Sequence, residues 1–440
     1  MKKTAVRMAL SILVVIMVLV GLSGGFVWYK IAALKQQVTD GLERSLKAKV
    51  EITSLNIDAW NERIEASGIS LTNQRPDAPW SKGEIGQTVA TFKWRDLFAS
   101  TIPLNVEISS WKVVLHSSSS GGISSVPESS TVTEVDSSPS RNTIRVTKIS
   151  AHDGEVEIDL ADDKKVLLHQ VAFEASDNGI GEWTTDLKTG SVNAGTIQTG
   201  PGSVQIQGDP DKITFSDLHL QCDQGAIEGG GQISLASDHS SQASLKATKV
   251  PVTMLVATQW QMKLSGLASG NFDYHGDDQG ASAHGHVEVT QGRFNVLPLL
   301  TKVMVLVSLP DFAGVDLDKA TADFDWKNRV LYLTNLDLRK TDAARISGDV
   351  QIDSMGQVDG KLKLGLPSTV TAKWPNLQNK IFSVPLEDYN WADVHVTGTP
   401  DHLEEDLTLR LIAAGADDGR SLLNSATQKA MDLFNNALKN

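Results

Sequence analysis

Apolar and polar positions follow two different periods along this chain, and the change falls near residue 50. Residues 8–29, MALSILVVIMVLVGLSGGFVWY, carry no charge. As a helix they extend about 33 Å, enough to cross a bilayer core of about 30 Å. Leu13, Val14, Val15 and Ile16 lie in the middle of this run, Lys2, Lys3 and Arg7 precede it, and Trp28 and Tyr29 close it where an aromatic belt belongs. The pattern predicts an uncleaved transmembrane anchor with residues 1–7 in the cytoplasm. The competing reading is a cleaved signal peptide. Ser23, Gly24 and Gly25 suit a cleavage site, but the apolar run continues through Phe26, Val27 and Trp28. The helical stripe then continues through Ile31, Leu34, Val38, Leu42 and Leu46, which predicts a stalk helix over 30–48.

From residue 49 the period is two. VEITSLNIDAW (50–60) and RIEASGISLTN (63–73) read as paired strands, and similar runs recur to about residue 413, where DLTLRLIA (406–413) is the last. Most show one apolar face: Val156, Ile158 and Leu160 against Glu155, Glu157 and Asp159, and Leu362, Leu364 and Leu366 against Lys361 and Lys363. Asp153–Gly154 and Asp359–Gly360 read as turns between strands. The expectation is a mainly β protein: an N-terminal transmembrane helix, then an elongated, twisted antiparallel sheet with one wet face and a few short helices. Helical periods return at PVTMLVATQW (251–260), at the strongly apolar LPLLTKVMVLVSL (297–309), and in a C-terminal amphipathic helix within 417–440. Residues 117–140 hold 11 serines and no Lys or Arg, which predicts a disordered loop or linker over 117–141. The expected β regions are therefore 49–116, 142–250 and 251–416.

Charge and composition narrow the chemistry. Asp plus Glu number 53 against 40 Lys plus Arg, for a net charge of −13, and the acids all follow residue 39. Such a surface repels phosphate backbones and excludes nucleic acid as a main partner. The single cysteine, Cys222, excludes an intrachain disulfide framework and a Cys-cluster metal site, and reads as a small core residue. No phosphate loop, dinucleotide fingerprint or Gly-x-Ser-x-Gly elbow is present. FDYHGDDQGASAHGH gathers Asp273, His275, Asp277, Asp278, His284 and His286, and His284 and His286 share one face of a strand as two metal ligands could. A polar hairpin on an acidic surface explains the same residues. A metal-dependent hydrolase there is the weakest of three readings, and no cofactor, metal or catalytic residue is expected.

In its order of features the chain resembles the AsmA family of inner-membrane-anchored bacterial envelope proteins. The resemblance runs through the anchor and stalk, KVEITSLNIDAWNERIEASGISLTN (49–73), TVATFKWRDLFASTIPLNVEISSWKVVLH (88–116) and NTIRVTKISAHDGEVEID (142–159). It continues in GHVEVTQGRFNVLPLLTKVMVLVSLPDF (285–312) and the strands of 320–366. The chain departs from longer family members in its short length and its Ser-rich segment. The resemblance implies a twisted β-groove, apolar inside, that shields acyl chains in phospholipid transport between inner and outer membranes or in outer-membrane upkeep. It also implies a single-pass inner-membrane protein with a periplasmic body, phospholipid or another acyl lipid as ligand, and an outer-membrane or periplasmic partner. The lining expected for such a groove is Val156, Ile158, Leu160, Val287, Val289, Leu362 and Leu364. A closed sandwich shows the same alternation, so a structural or interaction protein of the envelope is the alternative.

Overall fold

The computed structural model describes residues 48–58, 60–73, 80–93, 101–116, 143–159, 165–177, 182–195, 197–209, 211–235, 240–256, 258–277, 279–294, 315–399 and 402–415, together with Glu43 and Arg95. The expected anchor with Leu13, Val14, Val15, Ile16, Trp28 and Tyr29, the stalk, the Ser-rich segment, residues 297–309, the C-terminal amphipathic segment and Leu160 lie outside the described residues. Among the described residues no helix is long and apolar enough to cross a membrane. The chain is mainly β with a few short helices, and it divides into two units, Met1–Thr189 and Gly190–Asn440.

The first unit holds β1 (Lys49–Asp58), β2 (Arg63–Thr72), β3 (Trp80–Thr91), β4 (Thr101–His116), β5 (Thr143–Asp159), β6 (Lys165–Asp177) and β7 (Trp183–Thr189). Neighbours in sequence pair antiparallel, β1 with β2 as expected from 50–60 and 63–73, with one exception. β4 and β5 pair in parallel, Thr101 beside Thr143 and His116 beside Asp159. This corrects the expectation of an antiparallel sheet throughout. A parallel neighbour needs a connection of a dozen or more residues to carry the chain back along the strand, and 117–142 supplies that length.

Asp153–Gly154 is not a turn either. It lies inside β5, where Asp153 adopts φ 54°. Gly68 in β2 (φ 60°), Ser110 in β4 (φ 55°) and Gln170 in β6 (φ 53°) do the same. Across the strand registers these positions fall on one line through β2 to β6, with Gly86 of β3 against Ser110. At each, two successive residues face water and the apolar alternation skips one place: Ile108 to Trp111, Ala151 to Gly154, Leu168 to Val171. The registers of β2–β3, β3–β4 and β4–β5 run through these positions without a shift, so each strand resets its alternation at the same line and one face stays apolar on both sides of it. Gly154 fits because the Trp111 ring lies flat on it; an added Cβ would fall 2.1 Å from Trp111 Cε2.

The second unit runs from β8 (Ser191–Ala194) and β9 (Ile197–Thr199) through β10 (Gly202–Gly208), β11 (Lys212–Cys222), β12 (Gly225–Ser234) and β13 (Ser241–Pro251). It continues with β14 (Leu264–Asp277), β15 (Gly280–Phe294), β16 (Val315–Leu317), β17 (Lys319–Lys327), β18 (Val330–Lys340), β19 (Ala344–Ile352) and β20 (Val358–Pro367). β21 (Val384–Leu386), β22 (Tyr389–Thr399) and β23 (His402–Glu405) complete it. The described pairs from β10 onward are antiparallel. Short helices α1 (Val252–Leu255) and α2 (Thr258–Gln261) occupy the helical stretch expected at 251–260. Asp359–Gly360 again lies within a strand, β20, and the turn before it is Asp353–Gln357.

Residues 406–413, expected as a strand, form the helix α5 (Leu407–Gly415) instead. Leu407, Leu411 and Ala414 follow a helical spacing and are buried, while Glu405 accepts hydrogen bonds from the Thr408 backbone N–H and hydroxyl and so caps the first turn. With α3 (Ser368–Thr371) and α4 (Pro375–Lys380), this helix covers the sheet at β19–β22. The closed core there contains Ile346, Leu364, Leu366, Phe382, Val394 and Leu411. Among the described residues of the first unit a smaller buried apolar cluster is Val50, Ala66 and Ile69, with half-buried neighbours such as Ile52 and Ile85, and Ala151, Val171 and Ala175 are buried too.

This difference sets an expectation for stability. Leu364 is 0% exposed, so Leu364→Ala should lower unfolding free energy by about 3 kcal/mol, as a cavity under packed helices does. Val156 is half-buried, and Val156→Ala should cost about 1 kcal/mol or less. Urea denaturation of the two variants compares them directly, and equal losses would mean that the first unit is covered as well.

Candidate functional site

The candidate site is the inner apolar face of the first unit. In β5, Val156 lies between Val113 of β4 and Leu168 of β6, and Ile158 lies between Leu115 and Val166. All six side chains are half-buried. Beyond the line of left-handed residues, Ile108, Ala151 and Phe173 continue the row, and Trp111 meets Phe173 edge-on at 5.6 Å between centroids. No helix or second sheet layer packs on these side chains among the described residues. The outer face carries the charges. Lys112 and Lys165 both reach Glu157, Lys165 at 2.5 Å, which holds the Glu157 carboxyl below its ordinary range and raises Lys165.

The second unit repeats this two-faced design with a graded cover. Val287 faces Gly270 and Ala322 and is half-buried; Val289 faces Ala268 and Ala320 and packs on the closed core. Leu362 stands between Gly348 and Val394 at the margin of that core, and Leu364 between Ile346 and Ala392 inside it. Aromatic rings again lie over glycines of the next strand. An added Cβ would meet Phe215 at Gly231, at 2.5 Å, and Phe324 at Gly285, at 2.9 Å, and Phe324 stacks on Phe272 at 6.0 Å. Glycine inside a strand thus admits an aromatic ring rather than a turn.

The histidines lie on the wet face. His286 Nδ1 is 2.6 Å from Asp323, His275 is 3.4 Å from Asp277 and His284 is 4.0 Å from Asp273. His284 and His286 do share one face of β15, but each is close to its own carboxylate. Among the described residues no group of three or more His, Cys, Asp or Glu side chains could hold a metal. Asp278 lies outside the described residues. A shallow open hollow of about 400 Å³ lies beside them, lined by Gly230, Gln232, Gln242, Ser244, Asp273 and His275 among others. Cys222 is buried, as expected of a core residue, and burial pushes its thiol pKa up, away from the reactive thiolate.

The sequence missed the line of left-handed residues that crosses the first unit. A signal was present: paired polar residues such as Ser109–Ser110, His152–Asp153 and His169–Gln170 interrupt the alternation once per strand.

Fold and face together define a class: a one-sided β protein whose apolar surface is covered in one part and open in another. Compared with known families and with curated proteins, the chain matches none.

One polar cluster makes a pH prediction. Asn335 Nδ2 donates to Asp323 Oδ2 at 2.8 Å, and this hydrogen bond, then His286, lowers the Asp323 pKa. The Thr341 backbone N–H, then its side chain and Lys340, lower Asp318. A carboxylate depressed in the folded state stabilises above its unfolded pKa of about 3.9 and loses that contribution as pH falls through the folded value. Urea midpoints should therefore fall on acidification below about pH 4, and Asp323→Asn should show a smaller fall.

Proposed function

We propose that this chain is an AsmA-like, single-pass inner-membrane protein with a periplasmic body that shields lipid acyl chains. It acts without catalysis in phospholipid transport between inner and outer membranes or in outer-membrane assembly. The observation that carries the reading is the half-exposed apolar face around Val113, Val156 and Ile158, on which no described element packs. Each CH₂ moved from water onto such a face is stabilised by about 0.8 kcal/mol, so a lipid tail is a fitting occupant and no chemistry is required. Residues 8–29 supply the anchor in this reading, Val287 extends the lining, and a protein at the outer membrane or in the periplasm receives the lipid.

The second reading, a lipid-free scaffold of the envelope, is favoured by the closed helical cover over Leu364. There the sheet is a packed core with no room for a ligand.

The two readings separate by photocrosslinking in the full chain inside cells. Benzoylphenylalanine in place of Ile158 should give adducts of lipid mass, and the same group in place of Glu155 on the opposite face should not. Adducts to protein alone at position 158, or equal lipid adducts at both positions, would favour the scaffold.

A further inference from the structure

A row of bases crosses the outer face of the second unit. On the inner face of β17–β19, Ala320, Leu338 and Ile346 are buried in the closed core. Their neighbours in sequence, Lys319, Arg339 and Arg345, therefore stand on the opposite face. The registers set these three side by side, Lys319 opposite Arg339 and Arg339 opposite Arg345. Directly opposite side chains start about 5 Å apart, and like charges placed so destabilise the pair. In a chain whose acids outnumber its bases 53 to 40, each of these bases could be expected to have an acid of its own.

Among the described residues, acids neutralise one of the three. Arg345 Nε donates to Asp337 Oδ1 at 2.6 Å and Nη2 to Asp337 Oδ2 at 3.3 Å, while Nη1 donates to Glu387 at 2.9 Å. The same guanidinium lies over Trp391, 5.8 Å from the ring centroid. Asp337 is two places from Arg339 in β18, but Arg345 takes both of its oxygens. Asp318 is held by Lys340 at 3.2 Å and by the Thr341 backbone N–H. Asp342, in the turn after β18, pairs with neither remaining base. Lys319 is exposed and has no ion pair among the described residues. Arg339 is half-buried, has none either, and its Nε is shut off from water without a hydrogen-bond partner. A buried, unpaired guanidinium N–H costs free energy and calls for a partner. A water molecule satisfies the hydrogen bond but leaves the repulsion between Lys319 and Arg339, whereas an oxyanion relieves both.

We propose that Lys319 and Arg339 form a binding site for a phosphate group, with the Arg339 guanidinium as the hydrogen-bonding fork and the Lys319 ammonium as the second charge. A phosphate monoester carries about −1.5 to −2 charges near pH 7, so it neutralises both bases, while a carboxylate neutralises one. Arginine offers paired N–H groups that match phosphate oxygens, and lysine acts beside it as a point charge. Arg345, saturated by Asp337 and Glu387, fixes the far side of the site without competing for the anion. The site lies on the face opposite the inner apolar face, so it stands whether or not the chain carries acyl lipid. Inorganic phosphate and the phosphomonoester headgroup of phosphatidic acid share this chemistry, and the experiment tells them apart.

The test uses the full chain in neutral detergent, dialysed free of phosphate and held at constant ionic strength. Calorimetric titration with inorganic phosphate should show one saturable site with a dissociation constant of about 1 mM, as a few charge-assisted contacts on a half-exposed face give. A short-chain phosphatidic acid, added as monomers, binds more tightly if the lipid headgroup is the natural source and equally if phosphate alone is. Lys319→Gln and Arg339→Gln should each weaken binding about tenfold, and Lys165→Gln in the first unit should leave it unchanged. Without phosphate, Lys319→Gln should match or exceed the wild-type urea midpoint, because it removes a repulsion. A lower midpoint would mean that the protein already satisfies this charge, and would overturn the proposal. So would no saturation by about 10 mM phosphate, an equal response to acetate, or undiminished binding in both variants. Tighter binding of a polyglutamate peptide than of phosphate would also overturn it, since that outcome marks a protein partner. Circular dichroism of each variant separates loss of the site from loss of fold.

Discussion

An apolar sheet face in water must be covered or occupied, and this constraint governs the molecule. A β-strand directs alternate side chains to opposite faces, so Val156 and Ile158 cannot face inward without presenting Glu155 and Glu157 outward. Antiparallel pairing then aligns strand after strand of such faces into one surface. In the second unit, three short helices close part of that surface and leave Leu364 completely buried. In the first unit no described element does so, and Val113, Val156 and Ile158 stay half-exposed, although Val50, Ile69, Ala151 and Val171 are buried. The functional proposal follows from this inequality: where protein does not cover the face, an acyl chain is proposed to.

Two local devices shape the open part. The line through Gly68, Ser110, Asp153 and Gln170 resets the alternation of successive strands, so one face stays apolar on both sides of it. Ser, Asp and Gln adopt a left-handed conformation there at a cost of about 1–2 kcal/mol each, which the surrounding ladder sustains. The second device sets a ring on a glycine, as Trp111 on Gly154, Phe324 on Gly285 and Trp391 on Gly365. A flat ring in place of a projecting side chain keeps the floor low without uncovering the backbone.

Charge is distributed by the same logic. The wet face carries cross-strand pairs such as His286–Asp323 and Lys165–Glu157, exposed and individually weak.

Much of the β architecture was legible because alternation is a property of single strands: 50–60 and 63–73 pair as their pattern required. Helix and strand remained ambiguous where apolar residues satisfy both periods, and DLTLRLIA became a helix because the position of Leu407 and Leu411 against Phe382 decided it. Glycine after aspartate read as a turn, yet Gly154 and Gly360 sit within strands, since a ring or a neighbouring side chain, invisible in local sequence, occupies the space above them. The residues proposed as lining were equally apolar on paper, but Val156 and Leu364 differ wholly in cover. The sequence by itself determined which residues face inward and that the surface is acidic overall. Tertiary structure alone decided the parallel β4–β5 pair, the alignment of the left-handed residues across strands and which stretch of apolar face stays open. Those depend on contacts between residues far apart in the chain, which no period within one strand encodes.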